Sequence, residues 1–200
     1  FVNPIEWTYT VAGGTDLIYS FINARGANNY GVELDIRKNL GFIGLRDFSL
    51  SLNGALIKSR VTFNKGTNNI DRPMQGQSPY LVNAGLFYNN QEYGWNAAVL
   101  YNIIGKRIIG VGNRYGTASD GTARNIPNSY EMPRHSIDLS VSKKFGKWNL
   151  KLSARDILAQ RYLFKQIEEV TNEGKGKTIE ETTRSYKPGR NFSITIGYNF

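Results

Sequence analysis

Apolar and polar residues alternate one by one along most of this chain, and a period of two is the signature of extended strands. Tyr30, Val32, Leu34 and Ile36 alternate with Gly31, Glu33, Asp35 and Arg37. Phe48, Leu50 and Leu52 do the same, as do Tyr80, Val82, Ala84, Leu86 and Tyr88. Trp95, Ala97, Val99 and Tyr101 follow, and then Ile137, Leu139, Val141 and Phe145. Trp148, Leu150, Leu152 and Ala154 precede the closing row of Phe192, Ile194, Ile196, Tyr198 and Phe200. About seven strands are predicted, most of about eight to eleven residues. Helical spacing is sustained nowhere, so the chain reads as all-β.

Connection lengths alternate as well. Short links are predicted near 41–47, 89–94 and 146–147, and long polar ones near 59–79, 105–134 and 156–189. All the short links then lie at one end of the sheet and all the long ones at the other. A transmembrane β-barrel has that asymmetry, with short periplasmic turns and long extracellular loops. Its strands also need about 9–11 residues to cross a bilayer at a tilt. Aromatics begin or end the apolar rows, as interfacial girdles do. The opposite rows carry Glu33, Asp35, Arg37, Asp138, Lys151 and Arg155, which suits a polar lumen. A soluble β-sandwich with its apolar rows turned inward is the alternative reading of the same alternation.

Composition narrows the choice. No apolar run approaches the roughly 20 residues of a membrane-spanning helix. Twelve Tyr, ten Phe and three Trp in 200 residues argue against a disordered chain. Cysteine is absent and His135 is the single histidine, so neither a Cys-based zinc site nor a histidine triad can be assembled. The segment Gly174-Lys175-Gly176-Lys177-Thr178 lacks the first glycine of a phosphate loop, since position 171 is Thr171. Ile167-Glu168-Glu169-Val170 and Ile179-Glu180-Glu181-Thr182 flank it like the arms of a hairpin. No enzyme chemistry and no cofactor is indicated.

The chain carries 25 Lys and Arg against 16 Asp and Glu, a formal charge of +9. Lys58, Arg60, Lys65, Arg72, Lys106, Arg107, Arg114, Arg124 and Arg134 fall in the long links and the strand ends beside them. Scattered around a barrel rim, they suit lipopolysaccharide phosphates, or else an anionic imported ligand, and do not form the stripe that nucleic acid requires. The 105–134 link combines Arg107, Arg114, Tyr115, Arg124 and Tyr130, the candidate ligand-binding residues. Guanidinium forks and aromatic rings on a mobile backbone can close over a polar guest.

Several segments resemble the barrel of TonB-dependent outer-membrane receptors of the Bacteroidota type. Asn3-Pro4-Ile5-Glu6 followed by Tyr30-Gly31-Val32-Glu33-Leu34-Asp35-Ile36-Arg37 is similar to a recurring passage of that family. So is Arg72-Pro73-Met74-Gln75-Gly76-Gln77-Ser78-Pro79-Tyr80, and so is Arg155-Asp156-Ile157-Leu158 with Tyr162. Phe192, Ile194, Ile196, Tyr198 and Phe200 match the terminal signal read by the barrel assembly machinery. The resemblance implies residues 1–200 are part of a single transmembrane barrel domain: the last seven to eight strands of a larger, 22-stranded barrel. The plug domain, the TonB box and the earlier strands would then lie outside this chain. It implies the outer membrane of a Gram-negative bacterium, TonB-coupled uptake of a scarce nutrient, and contacts with outer-membrane lipid, a TonB-type coupling protein and possible surface lipoproteins. The nutrient could be a metal chelate, a cofactor, a saccharide or a peptide. A non-transporting barrel that scaffolds a surface complex, or a passive porin, is the competing expectation.

Overall fold

The computed structural model describes residues 1–12, 16–65, 69–117, 123–172 and 175–200. Strands dominate, and the short 3-10 turn Gly41–Ile43 is the single helical element among the described residues. Seven strands form one antiparallel sheet: β3 (Gly26–Asn39), β4 (Phe48–Thr62), β5 (Tyr80–Asn90), β6 (Trp95–Ile104), β11 (Arg134–Phe145), β12 (Trp148–Arg155) and β15 (Asn191–Tyr198). These are the seven segments marked by the alternation. Their spatial order is β3-β4-β5-β6-β11-β12-β15, so every neighbour is also the next of the seven along the chain.

Register follows the pattern because a slip of one residue would turn every side chain to the wrong face. Leu50, Leu86, Val99, Leu139, Ala154 and Phe192 stand in one continuous row across six strands. Beside it run Phe48, Tyr88, Ala97, Val141, Leu152 and Ile194. Among the described residues no second layer covers this face: Val32 on the same side of β3 is 74% exposed, Ile194 71% and Phe192 72%. A soluble sandwich would bury such residues, each worth about 1.5–3 kcal/mol. An apolar face of this extent is suited to lipid.

At the turn end of the sheet the apolar rows finish in rings. Phe48 and Tyr88 lie 4.9 Å apart between centroids, Trp148 and Tyr198 4.8 Å, and Tyr198 and Phe200 5.3 Å. Trp95 belongs to the same band. The tight turns there have the chemistry they need. Gly146 supplies a φ of +59° at the first position of the two-residue turn closed by the Phe145–Trp148 pair. Gly94 has no room for a side chain, since a Cβ would meet the Lys144 carbonyl oxygen at 2.6 Å.

At the other end the long links are strands more than loops, which the alternation did not reveal. β7 (Arg107–Gly110), β10 (Asn128–Glu131), β13 (Tyr162–Asn172) and β14 (Lys175–Tyr186) form a second sheet, in the order β7-β10-β13-β14. That order repeats β6-β11-β12-β15, the strands from which they continue. The upper sheet therefore prolongs the wall past short breaks in each strand. Arg134 stitches this boundary: it pairs with Asp156 at 2.6 Å, donates to the Tyr162 hydroxyl at 2.9 Å and lies 4.2 Å over that ring. β13 and β14 form the hairpin expected around 167–182, with Ile167 opposite Glu180. Two further hairpins complete the loop end: β1 (Ile5–Ala12) with β2 (Asp16–Asn23), and β8 (Asn113–Thr117) with β9 (Ala123–Ile126).

The two faces make an unequal-effect test. Leu139→Arg puts a charge on the lipid row and is expected to cost about 2–4 kcal/mol of folding free energy in a bilayer. Asp138→Asn should cost close to nothing, because an amide oxygen can still accept the Asp156 backbone N–H now held at 2.8 Å. Guanidinium titration of both variants folded in vesicles measures the difference.

Candidate functional site

Two places on the inner side of the wall gather polar side chains. The first is a row across β3 to β6, where asparagine recurs at the lumen-facing position of three successive strands. Asn102 Nδ2 donates to Asn83 Oδ1 at 2.6 Å, Asn83 to Asn53 at 3.4 Å, and Asn53 to Glu33 Oε1 at 3.3 Å. Each amide uses one donor along the row and keeps a second N–H for the lumen. A cavity of about 280 Å3 opens beside this row, where Phe87 and Leu100 add an apolar patch and Ser136 and Asp138 extend the polar rim. Gly85 stays small because a Cβ would meet the Phe87 ring at 2.8 Å.

The second place is a cleft of about 260 Å3 at the loop end, where the 69–73 segment meets β10 and β13. Asn69, Asp71, Lys106, Asn128, Tyr130 and Glu168 line it, with apolar side chains between them. Lys106 lies 4.8 Å over the Tyr130 ring. Asn128 Oδ1 accepts the Gly112 N–H at 2.7 Å, which fixes the start of the β8–β9 hairpin beside the cleft.

A buried ion pair anchors this end. Glu6 on β1 and Arg72 meet at 2.9 Å, and both are 7% exposed. Arg72 also donates to the Trp7 carbonyl oxygen at 3.2 Å and lies 5.4 Å from the Phe63 ring centroid. Beside it Thr8 donates to Asn69 at 2.5 Å. Ala24, Ala27, Val61 and Phe63 form the small apolar core behind, with Ile22 and Met74 against it. Asp71 accepts from the Phe63 amide and from Arg60. The amide first, and then the guanidinium, hold its carboxyl below the ordinary aspartate range.

The candidate ligand-binding residues divide. Tyr130 lines the cleft. Arg107 is spent on its own chain: Nε and Nη2 both donate to Glu131 Oε2, at 2.9 and 2.7 Å, across the β7–β10 pair. Arg114, Tyr115 and Arg124 belong to β8 and β9, and their side chains lie outside the described residues. Of the other basic residues, Arg60, Arg72 and Arg134 also have carboxylate partners, namely Asp71, Glu6 and Asp156. Glu180, one of the paired acids, is bonded to Lys165 at 2.6 Å, which lowers its pKa. Among the described residues no group of three acids or histidines is placed to hold a metal. The asparagine row escaped the reading of the sequence, although its signal was there: Asn53, Asn83 and Asn102 all fall on polar positions, and only cross-strand register shows them to be neighbours.

A wall with one bare apolar face and one hydrogen-bonded polar face agrees with the family comparison. The model of the TonB-dependent receptor-like β-barrel matches residues 2–157. The chain belongs to that family. Its members are receptors and transporters of the Gram-negative outer membrane, and the chain is accordingly part of an outer-membrane receptor barrel. The match ends at Ile157, before β13, β14 and β15. No curated protein and no solved structure matches.

Two expectations follow from the loop-end anchor. Arg72→Ala leaves Glu6 buried without a partner and should cost about 3–5 kcal/mol, whereas Glu6→Leu with Arg72→Met should cost much less. Urea unfolding of the vesicle-inserted protein separates them. The second concerns pH. Because the folded pKa of Asp71 is depressed, its stabilisation is present above the unfolded value and is lost as pH falls through the folded one. Protease resistance around 69–73 should hold from neutral pH to about pH 4 and fall below it. Asp71→Asn should remove that dependence.

Proposed function

We propose that this chain supplies seven strands to a larger closed barrel, 22-stranded on the family pattern, that imports a scarce nutrient by TonB-coupled active transport. The polar row from Glu33 through Asn53 and Asn83 to Asn102 carries this reading. Such a row is suited to lining a passage for polar solutes or to holding a plug against the wall. Closure follows from the sheet edges. Apart from the Val2–Gly26 bridge, the outer edges of β3 and β15 have no ladder among the described residues, and unpaired backbone cannot stay in hydrocarbon.

Recognition is assigned to the loop end, at the cleft lined by Lys106 and Tyr130, with Arg114, Tyr115 and Arg124 in the hairpin beside it. A metal chelate, a cofactor, a saccharide or a peptide are the guest classes in view. In this reading the long connections are extracellular and the short turns periplasmic. Lys58 stands opposite Tyr30 on the lipid-facing row at the loop end, well placed for lipopolysaccharide phosphates. Phe192, Ile194, Ile196, Tyr198 and Phe200 serve as the signal for the barrel assembly machinery, and a surface lipoprotein is a candidate partner at the rim.

Uptake into cells expressing the full-length protein tests the reading. Saturable uptake that a protonophore abolishes is expected. Uptake that is linear in concentration and indifferent to the protonophore would assign a passive porin. Shortening 115–125 should abolish uptake and leave assembly intact; surviving uptake would move recognition away from this hairpin.

A further inference from the structure

At the turn end two lysines interrupt the lipid-facing rows. Lys38 follows Ile36 on β3 and stands opposite Leu50. Lys143 lies between Val141 and Phe145 on β11, opposite Trp95 on one side and Leu150 on the other. Each rests against an aromatic ring. Lys38 Nζ is 5.6 Å from the Phe42 centroid and Lys143 Nζ 4.8 Å from that of Trp95, while Lys147 in the next turn lies 5.9 Å from Tyr198. Lys143 also donates to the Tyr93 carbonyl oxygen.

These cations differ from the arginines at the opposite end. Arg60, Arg72, Arg107 and Arg134 are neutralised by carboxylates of the same chain. Lys38, Lys143 and Lys147 take part in no ion pair among the described residues. The surrounding charge favours an external anion too. Arg46 and Lys144 join the three lysines at this end, against Asp47 and Glu92. Asp47 already accepts a 2.6 Å hydrogen bond from Asn90. Asp35 and Arg37 offset each other on the lumen-facing side.

A lysine in a lipid-facing row lays its stem along apolar surface and carries its ammonium to the headgroup layer. Aromatic rings mark that layer. We propose that the turn end of this wall binds anionic phospholipid headgroups, with Lys38 and Lys143 meeting their phosphates from the lipid-facing rows and Lys147 from the turn. The inference rests on the lipid-facing assignment of these rows and is independent of the transport reading.

Native mass spectrometry of the full-length protein, released from nanodiscs holding phosphatidylglycerol and phosphatidylcholine in equal amounts, tests it. The wild type should retain phosphatidylglycerol preferentially. Lys38→Gln with Lys143→Gln should lower that preference by roughly fivefold for each lysine removed, and Lys38→Arg with Lys143→Arg should keep it. Lys151→Gln removes the same charge from the lumen row, where Lys151 pairs with Ser142 and Thr195, and should change nothing. If the double glutamine variant fails to insert, Lys147→Gln alone, outside the strands, should still show its fivefold loss. Equal retention by wild type and variants, an equal loss in Lys151→Gln, or displacement of the lipid by excess inorganic phosphate would each overturn the proposal.

Discussion

Hydrocarbon offers no partner to a peptide group, so each backbone N–H and C=O within it must bond to a neighbouring strand. The rest of this structure depends on that constraint. It produces a sheet in which each of the seven strands pairs with the next of the seven in chain order, whether a short turn or a long link joins them. With the backbone fixed, pleating sends successive side chains to opposite sides, and chemistry sorts them into lipid and lumen. One face can then remain bare of protein, as Val32 and Ile194 show. The stabilising burial of a soluble core is replaced by lipid on that face.

Beyond the membrane boundary water returns and the rules change. The loop end has strands of its own but only a small apolar core, where Ala24, Ala27, Val61 and Phe63 meet beside the tops of β3 and β4. Charge pairing holds much of the remainder. Glu6 with Arg72, Arg107 with Glu131 and Arg134 with Asp156 each join segments distant in the chain. An isolated surface pair is worth little, but Glu6 and Arg72 are buried and hydrogen-bonded, so losing one partner is expensive. These pairs also explain why the basic excess of the long links is a poor guide to their partners. Several of the arginines were answering carboxylates of the same chain.

All seven wall strands were legible in the sequence, since a lipid-facing strand must display the alternation that locates it. The short turns were legible for a related reason: Gly146 and Gly94 adopt the positive φ, +59° and +67°, that glycine takes most readily. Of the upper sheet only the hairpin of β13 and β14 was legible, from the similar arms around 167–170 and 179–182; β7 and β10 are too short for a period to show. Of the candidate ligand-binding residues, Tyr130 lines the loop-end cleft. Arg107 was chosen for its type, which cannot disclose a Glu131 across the strand pair. The asparagine row needed register, a property of strand pairs that no single segment contains.

Spin labels placed singly along β12, from Leu150 to Arg155 in vesicle-inserted protein, test the assignment of the faces most directly. Collision with dissolved oxygen, which concentrates in lipid, should peak at 150, 152 and 154. Collision with a water-soluble nickel chelate should peak at 151, 153 and 155. Accessibility that fails to alternate, or that alternates with the opposite phase, would contradict a wall with lipid on its apolar side.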